Sequence, residues 1–284
     1  MKTASERQAR LRPEATVVTV DPTTATHWLT RNSANRPVRH VVVSKYADDM
    51  TNGRWCLTGA PIQFAVDGTL LDGQHRLLAI IESGVTLPLF VVNGLPLEAR
   101  PYMDVGTKRT LADQLGIAGY QHRATLAAGA RLALAWATDR LMYRMENLSD
   151  AEVREFIEKN PTLLDAAEFA ASVRLPITGS VVCAVTWRLT DAGHNRQRVH
   201  DFFQAIADMR SDGPGDPKYA LLNRINRARR ARERFKSTTV LSMVIRAYNA
   251  DYLGTRIHRM QATTSNSLFV EVPGITAPVE TSTP

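Results

Sequence analysis

The first part of the chain alternates short apolar runs with turn residues, a pattern typical of mixed strands and helices. Ala15–Asp21 is rich in valine and threonine and stops at an Asp-Pro pair, which predicts a strand. We expect Thr23 or Thr24 to cap the short helix that follows. The apolar residues of Val38–Met50 recur at helical spacing before an Asn-Gly pair, so this segment is predicted to be a helix that stops there.

The densest set of strand, turn and helix signals follows. Ile62–Val66 and Thr69–Leu71 are predicted to pair as a hairpin around an Asp-Gly turn. Gly73–Ser83 carries apolar residues at helical spacing and is closed by a glycine, and Leu87–Val92 is a further apolar strand that ends at an Asn-Gly pair. Strand, helix and strand in this order indicate a small α/β unit.

After about Gly119 the pattern becomes helical. We therefore predict an α/β domain over residues 1–118, an all-helical domain over 119–260 and a flexible tail over 261–284, which is rich in Thr, Ser and Pro. Ser149 and Glu152 are predicted to form a capping box that opens a helix running to Lys159, and Pro161 is predicted to start the next helix. The other predicted helices are Gln121–Thr138, Ile177–Thr190, Arg196–Met209, Tyr219–Phe235 and Thr239–Leu253.

Composition narrows the class of protein. No apolar run is long enough to cross a bilayer, and the polar start of the chain lacks the apolar core of a secretory signal, so we expect a cytoplasmic protein without a membrane partner. Cys56 and Cys183 are far apart, and no His/Cys cluster has metal-ligand spacing. We predict neither a disulfide nor a metal site built by the protein.

The chain is basic, with 35 Lys and Arg against 28 Asp and Glu. A positive balance favours phosphate-bearing partners but does not by itself identify one. The charge is concentrated in Asn223–Lys236, which as a helix could contact phosphates without reading sequence; the alternative is a solvated helix paired with acidic neighbours. The arginines assigned to DNA contact are Arg224, Arg227, Arg229 and Arg230.

The segment Asp72-Gly73-Gln74-His75-Arg76 lies where a strand gives way to a helix. Gly73 lets a ligand approach the backbone, and the first amides of the following helix point outward with a partial positive charge. Arg76 and His75 add donors suited to phosphate, although the alternative is that Asp72 simply caps the helix. Cations in a first turn oppose the helix dipole unless an anion compensates them, which favours phosphate binding by Gly73, Gln74, His75 and Arg76.

A second segment, Met103–Thr110, carries a glycine followed by Thr, Lys, Arg and Thr at a predicted helix start. Lys108, Arg109 and Thr110 could form a second wall of the anion pocket. The alternative is a capped turn with exposed basic residues.

The run LLDGQHRLLAI resembles the signature of the ParB/sulfiredoxin superfamily, and TNGRW, TG-x-PI-x-F and MD-x-G-x-KRT resemble the ParB-like proteins of bacteriophages. The resemblance implies an α/β ParB-like domain followed by a helical domain, and a homodimer. In sulfiredoxins the position of Gln74 is the reactive cysteine, so that chemistry is not expected here. ParB proteins bind the triphosphate of CTP with this loop, which implies a nucleoside triphosphate with Mg²⁺ as a cofactor.

Three functional hypotheses follow. The first is a nucleotide- or DNA-binding protein that holds phosphate with the Asp72–Arg76 loop. The second is an enzyme, either a nuclease or a nucleotide-dependent phosphotransferase or NTPase, with His75 as acid or base and Asp72 as base or Mg²⁺ ligand. The third is a phage interaction protein without catalysis.

Overall fold

The chain divides into one unit built on a sheet and one built from helices. This computed structural model describes residues 12–33, 35–103, 109–141 and 145–261. Unit 1 comprises Met1–Lys108 and Glu146–Glu152, and unit 2 comprises Arg109–Met145 and Val153–Pro284. The division falls earlier than the change of sequence character near Gly119, because the helix that begins at Leu111 packs on the helices of unit 2. The predicted tail beyond Gln261 lies outside the described residues.

The strands of unit 1 form a mixed sheet with the order β1-β4-β2-β3. These strands are β1 (Glu14–Val20), β2 (Ile62–Ala65), β3 (Leu70–Asp72) and β4 (Leu87–Leu95). The pairs β1–β4 and β2–β3 are antiparallel, whereas β2 and β4 are parallel.

Two glycine turns shape this sheet. The predicted hairpin is confirmed: the Gly68 amide donates to the Ala65 carbonyl (2.9 Å), and Gly68 has a φ of 82°. By contrast, β4 does not end at the Asn-Gly pair as predicted. Its register against β2 advances three residues between Val92 and Leu95 while β2 advances two, so β4 carries a bulge that Gly94 accommodates at φ 81°.

The helices of unit 1 are α1 (Pro22–Leu29), α2 (His40–Thr51) and α3 (Gln74–Ser83). Both α1 and α2 pack against α3. The cap of α1 differs from the prediction: the Asp21 side chain accepts from the Thr24 amide (2.7 Å), because Pro22 takes the first helical position. The core beneath these helices joins all three to the strands and consists of Val20, Ala25, Val43, Ala47, Met50, Ile62, Phe64, Leu70, Leu77, Ala79, Ile80, Leu89 and Val91.

A buried contact joins residues 146–152 to the rest of unit 1. The Ser149 hydroxyl donates to the Asp49 carboxylate (2.6 Å), which also accepts from the Arg54 guanidinium (2.9 Å). Ser149 also accepts the Glu152 amide (3.0 Å) at the start of the next helix, which confirms the predicted serine cap.

The later helices surround a central one. They are α4 (Leu111–Ile117), α5 (Arg123–Ala137), α6 (Asp150–Lys159), α7 (Thr162–Ser172), α8 (Gly179–Asp191), α9 (Arg196–Ala207), α10 (Pro217–Arg230) and α11 (Ser237–Leu253). Helix α8 contacts α5, α7, α9 and α11, and its residues from Val181 to Trp187 are all buried. The mixed architecture of strands followed by helices is thus present, with short 3₁₀ turns at Leu97–Tyr102 and Met145–Asn147.

Helices α5 and α8 approach closely at Gly129. A Cβ on Gly129 would lie 2.5 Å from the Cys183 sulfur and 2.7 Å from the Cys183 Cβ. Burial raises the pKa of the Cys183 thiol to about 12, so this side chain acts as a small apolar residue near neutral pH.

We expect Gly129→Ala to destabilise the protein by about 1–2 kcal/mol, because overpacking outweighs the gain in helix propensity. Chemical denaturation with the slope of the transition checked for constancy measures the effect. A rise in the free energy of unfolding, as the propensity of alanine alone would give, would contradict the close approach of the two helices.

Candidate functional site

The junction between β3 and α3 is built around Gly73. This residue has a φ of 111°, and a Cβ placed on it would lie 2.5 Å from the Cδ1 atom of Ile62. The Gly73 carbonyl accepts from the amides of Arg76 (3.0 Å) and Leu77 (3.1 Å), so the helix starts immediately after the glycine. Its first turn has no side-chain cap. Glycine is therefore favoured at this junction for a steric reason as well as a conformational one.

Arg76 is directed into the fold. Its guanidinium donates to the carbonyls of Ala60 and Pro61 (2.8 Å for Pro61) and to the Asp72 carboxylate (3.0 Å). The Arg76 side chain is only 13% exposed. These contacts hold the segment that enters β2 against the end of β3, so the donors that the sequence assigned to phosphate already have acceptors within unit 1.

Gln74 and His75 hold the connection between α1 and α2. Both are buried, at 5% and 7% relative exposure. Gln74 donates to the Arg36 carbonyl (2.6 Å) and accepts from the Asn32 amide group (2.9 Å). The Nε2 atom of His75 accepts the backbone N–H of Arg39 (3.1 Å), which requires that nitrogen to be unprotonated.

The asparagines of this connection were missed by the sequence reasoning. Asn35 donates to the Leu70 carbonyl (3.0 Å) and to Asn32 (2.7 Å), and Asn32 in turn reaches Gln74. The signal in the sequence is two asparagines three residues apart in a polar stretch, which is typical of any loop. Only the tertiary contacts distinguish these two asparagines from those of an ordinary loop.

Asp72 keeps part of its surface in solvent, with a side chain that is 34% exposed. It lies at the end of β3, where it pairs with Gln63 in the sheet and with Arg76 through one carboxylate oxygen. The residues that open α3 are themselves buried: Gly73, Gln74 and His75 lie inside, and Asp72 is the partly exposed group beside them. The helix start attracts anions, whereas the Asp72 carboxylate opposes them.

Of the second predicted wall, Lys108 lies outside the described residues, together with residues 104–107. Arg109 is exposed in unit 2. Thr110 caps α4 in a reciprocal capping box with Asp113: it accepts the Asp113 amide (3.2 Å), and the Asp113 carboxylate accepts the Thr110 amide (3.0 Å). The hydrogen bonds from Thr110 lower the pKa of Asp113. Thr110 thus has a structural role at this helix start.

Arg224 differs from the other arginines of α10. Its guanidinium donates to both oxygens of Glu233 (2.9 and 3.0 Å) and lies 4.5 Å from the ring centre of Phe235. The hydrogen bond from Arg224 lowers the pKa of Glu233. The helix ends earlier than predicted, at Arg230, because Arg232 turns the chain at φ 55° and the Glu233 amide returns to the Ala228 carbonyl (2.9 Å).

The remaining basic side chains of this region face solvent. They are Arg227, Arg229 and Arg230 on α10 and Arg232, Arg234 and Lys236 in the turn that follows, and we call these six residues the arginine surface. The nearby acid, Glu233, is already paired with Arg224. Of the two interpretations of this helix drawn from the sequence, pairing with an acidic neighbour therefore applies to Arg224.

The described part of the chain contains no group of three or more His, Cys, Asp and Glu side chains placed to hold a metal ion. Asp72, the expected Mg²⁺ ligand, has Arg76 as its neighbour instead of a second carboxylate, so these residues do not build a site for a resident Mg²⁺. In the same described residues, no helix is long and apolar enough to cross a membrane.

Comparison of the chain with models of protein families, with curated proteins and with solved structures gave no match.

We expect Gly73→Ala to destabilise the protein by about 3 kcal/mol or more, since both the positive φ and the contact with Ile62 oppose a side chain. The matched control is Gly84→Ala at the other end of α3. Gly84 has a φ of 69° but open space around it, so that change should cost only about 1 kcal/mol. Equal losses in thermal or chemical denaturation would contradict the steric argument.

Proposed function

We propose that this protein binds nucleic acid through its phosphate backbone, with the arginine surface of unit 2 as the contact. The observation that carries the proposal is the exposure of Arg227, Arg229, Arg230, Arg232, Arg234 and Lys236 in one continuous stretch of chain. Exposed guanidinium groups bind phosphate oxygens through paired donors and release condensed counterions, so they provide affinity without sequence information.

Arg224 has a positioning role in this proposal. Its ion pair with Glu233 and its contact with Phe235 fold the turn after α10 back toward the helix. The ion pair also neutralises Glu233, the acidic residue between Arg232 and Arg234. Arg224 itself contributes little to phosphate contact, which revises its assignment from the sequence.

A phosphate site at the start of α3 is the second candidate. The favourable observation is the helix start after Gly73, which has no side-chain cap. In this proposal the ligand contacts are the first amides of α3, while Gln74, His75 and Arg76 support them from behind. The strand–glycine–helix order resembles the ParB/sulfiredoxin arrangement, and a nucleotide is the ligand that the resemblance favours.

The enzyme hypothesis receives less support. His75 is buried and its Nε2 atom is bound to the Arg39 amide, which favours a role in holding the fold over proton transfer.

For the arginine surface, we expect binding to DNA duplexes of unrelated sequence with equal affinity and a steep dependence on salt. Arg230→Ala should lower the slope of log K against log salt by about 0.9 for a duplex. Arg196→Ala, an exposed arginine of the same unit that pairs with Asp165, is the matched control and should leave the slope unchanged. Fluorescence anisotropy over a range of salt concentrations measures both. Affinity that does not respond to salt would contradict phosphate contact.

For the α3 site, we expect nucleoside triphosphates to shift the backbone amide signals of Gln74 and His75 in NMR titrations. Asp72→Asn should raise the affinity by about fivefold, because one negative charge beside the phosphate is removed. Glu82→Gln removes an exposed negative charge at the far end of the same helix and should leave the affinity unchanged. Weaker binding of Asp72→Asn would contradict amide-only binding and indicate a metal bridge.

A further inference from the structure

Unit 2 contains a groove of about 470 Å³ next to the arginine surface. This volume falls in the range of roughly 300–1,000 Å³ that is usual for binding sites. Its floor is apolar and includes Leu175, Ile206 and Leu222. The charged residues that line it are both arginines, Arg174 and Arg229, and both are exposed.

Met209 at the edge of this groove is unusual in two respects. It is 77% exposed although it is a large apolar side chain. It also takes a φ of 56°, a conformation in which the Arg210 amide returns to the Ala205 carbonyl (2.8 Å) to close α9. Glycine is the usual residue at such a helix end, so methionine adopts this conformation at a cost. Together with the floor, Met209 gives the groove an apolar surface, while Arg174 and Arg229 favour an occupant that carries negative charge.

The chain itself contains a segment that is both apolar and acidic. Residues 262–284 include the apolar run Leu268–Val270 and two acidic residues, Glu271 and Glu280, and they contain no Lys, Arg, His or Asp. The segment is therefore complementary in charge to a groove lined by two arginines, within a chain whose net charge is +7.

Chain length permits this segment to reach the groove. Ile257 is bridged to Gly215, at the other end of the connection that begins near Met209. Met209 and Gly215 are six residues apart, so Met209 lies within about 21 Å of Gly215, and the bridge adds about 5 Å. Phe269 follows Ile257 by twelve residues, which span up to about 40 Å when extended.

We propose that segment 262–284 docks in this groove of its own chain, with Leu268–Val270 on the apolar floor and Glu271 facing Arg174 and Arg229. The arginine pair selects an acidic segment and the floor selects an apolar one. Arg229 also belongs to the arginine surface, whereas Arg174 does not, so the two proposals can be tested separately.

The test is photocrosslinking in the full-length chain, with Phe269 replaced by p-benzoylphenylalanine. We expect crosslinks within one chain to Met209 and to the peptides that carry Leu175 and Leu222, at a yield independent of protein concentration. Arg174→Glu should lower that yield by about fivefold, because it reverses one charge of the pair. Arg234→Glu is the matched control, an exposed arginine outside the groove, and should leave the yield unchanged.

Cleavage after Glu271 by a glutamate-specific protease provides a second measurement on the unlabelled chain. Arg174→Glu should accelerate this cleavage by about fivefold while thermal denaturation stays unchanged. Crosslinks outside the groove or between two copies would overturn the proposal, as would equal effects of Arg174→Glu and Arg234→Glu. Loss of nucleic-acid binding in Arg234→Glu with crosslinking retained would instead concern the arginine surface alone.

Discussion

The arrangement of unit 1 depends on the guanidinium of Arg76. This one group satisfies the carbonyls of Ala60 and Pro61, which lead into β2, and the carboxylate of Asp72, which ends β3. A mostly buried charge of this kind is stable only when acceptors surround it, so the strands must meet α3 in this geometry. Gly73 makes the approach possible, because any side chain there would occupy the space of Ile62.

The same constraint changes the role of the polar residues around Arg76. Gln74 and His75 carry the hydrogen-bonding groups that a ligand site needs, yet they hold Arg36, Asn32 and Arg39 of a neighbouring connection. Their polarity therefore organises the backbone. In unit 2 the situation is the reverse, since six basic side chains face solvent and the nearby acid Glu233 is paired with Arg224.

Elements set by local interactions were well predicted from the sequence. The Asp-Gly hairpin and the Ser149 cap follow from residues close in the chain, and both are present. Predictions failed where a second local option was as good, or where a distant strand offered a partner. Asp21 with Pro22 replaced the threonine cap of α1, and a bulge at Gly94 let β4 continue because β2 offers it a parallel partner.

The sequence by itself determined the change from mixed to helical structure, the concentration of arginine after Asn223 and the strand-to-helix junction at Gly73. These follow from periodicity, charge and backbone conformation, which are local properties. Only the tertiary structure decided which polar groups remain available for a ligand. Arg76 and Arg224 are chemically identical to Arg230, but carbonyls and carboxylates brought close by folding occupy the first two, while Arg230 faces solvent. The availability of a donor depends on which acceptors folding brings against it, and the order of residues does not specify them.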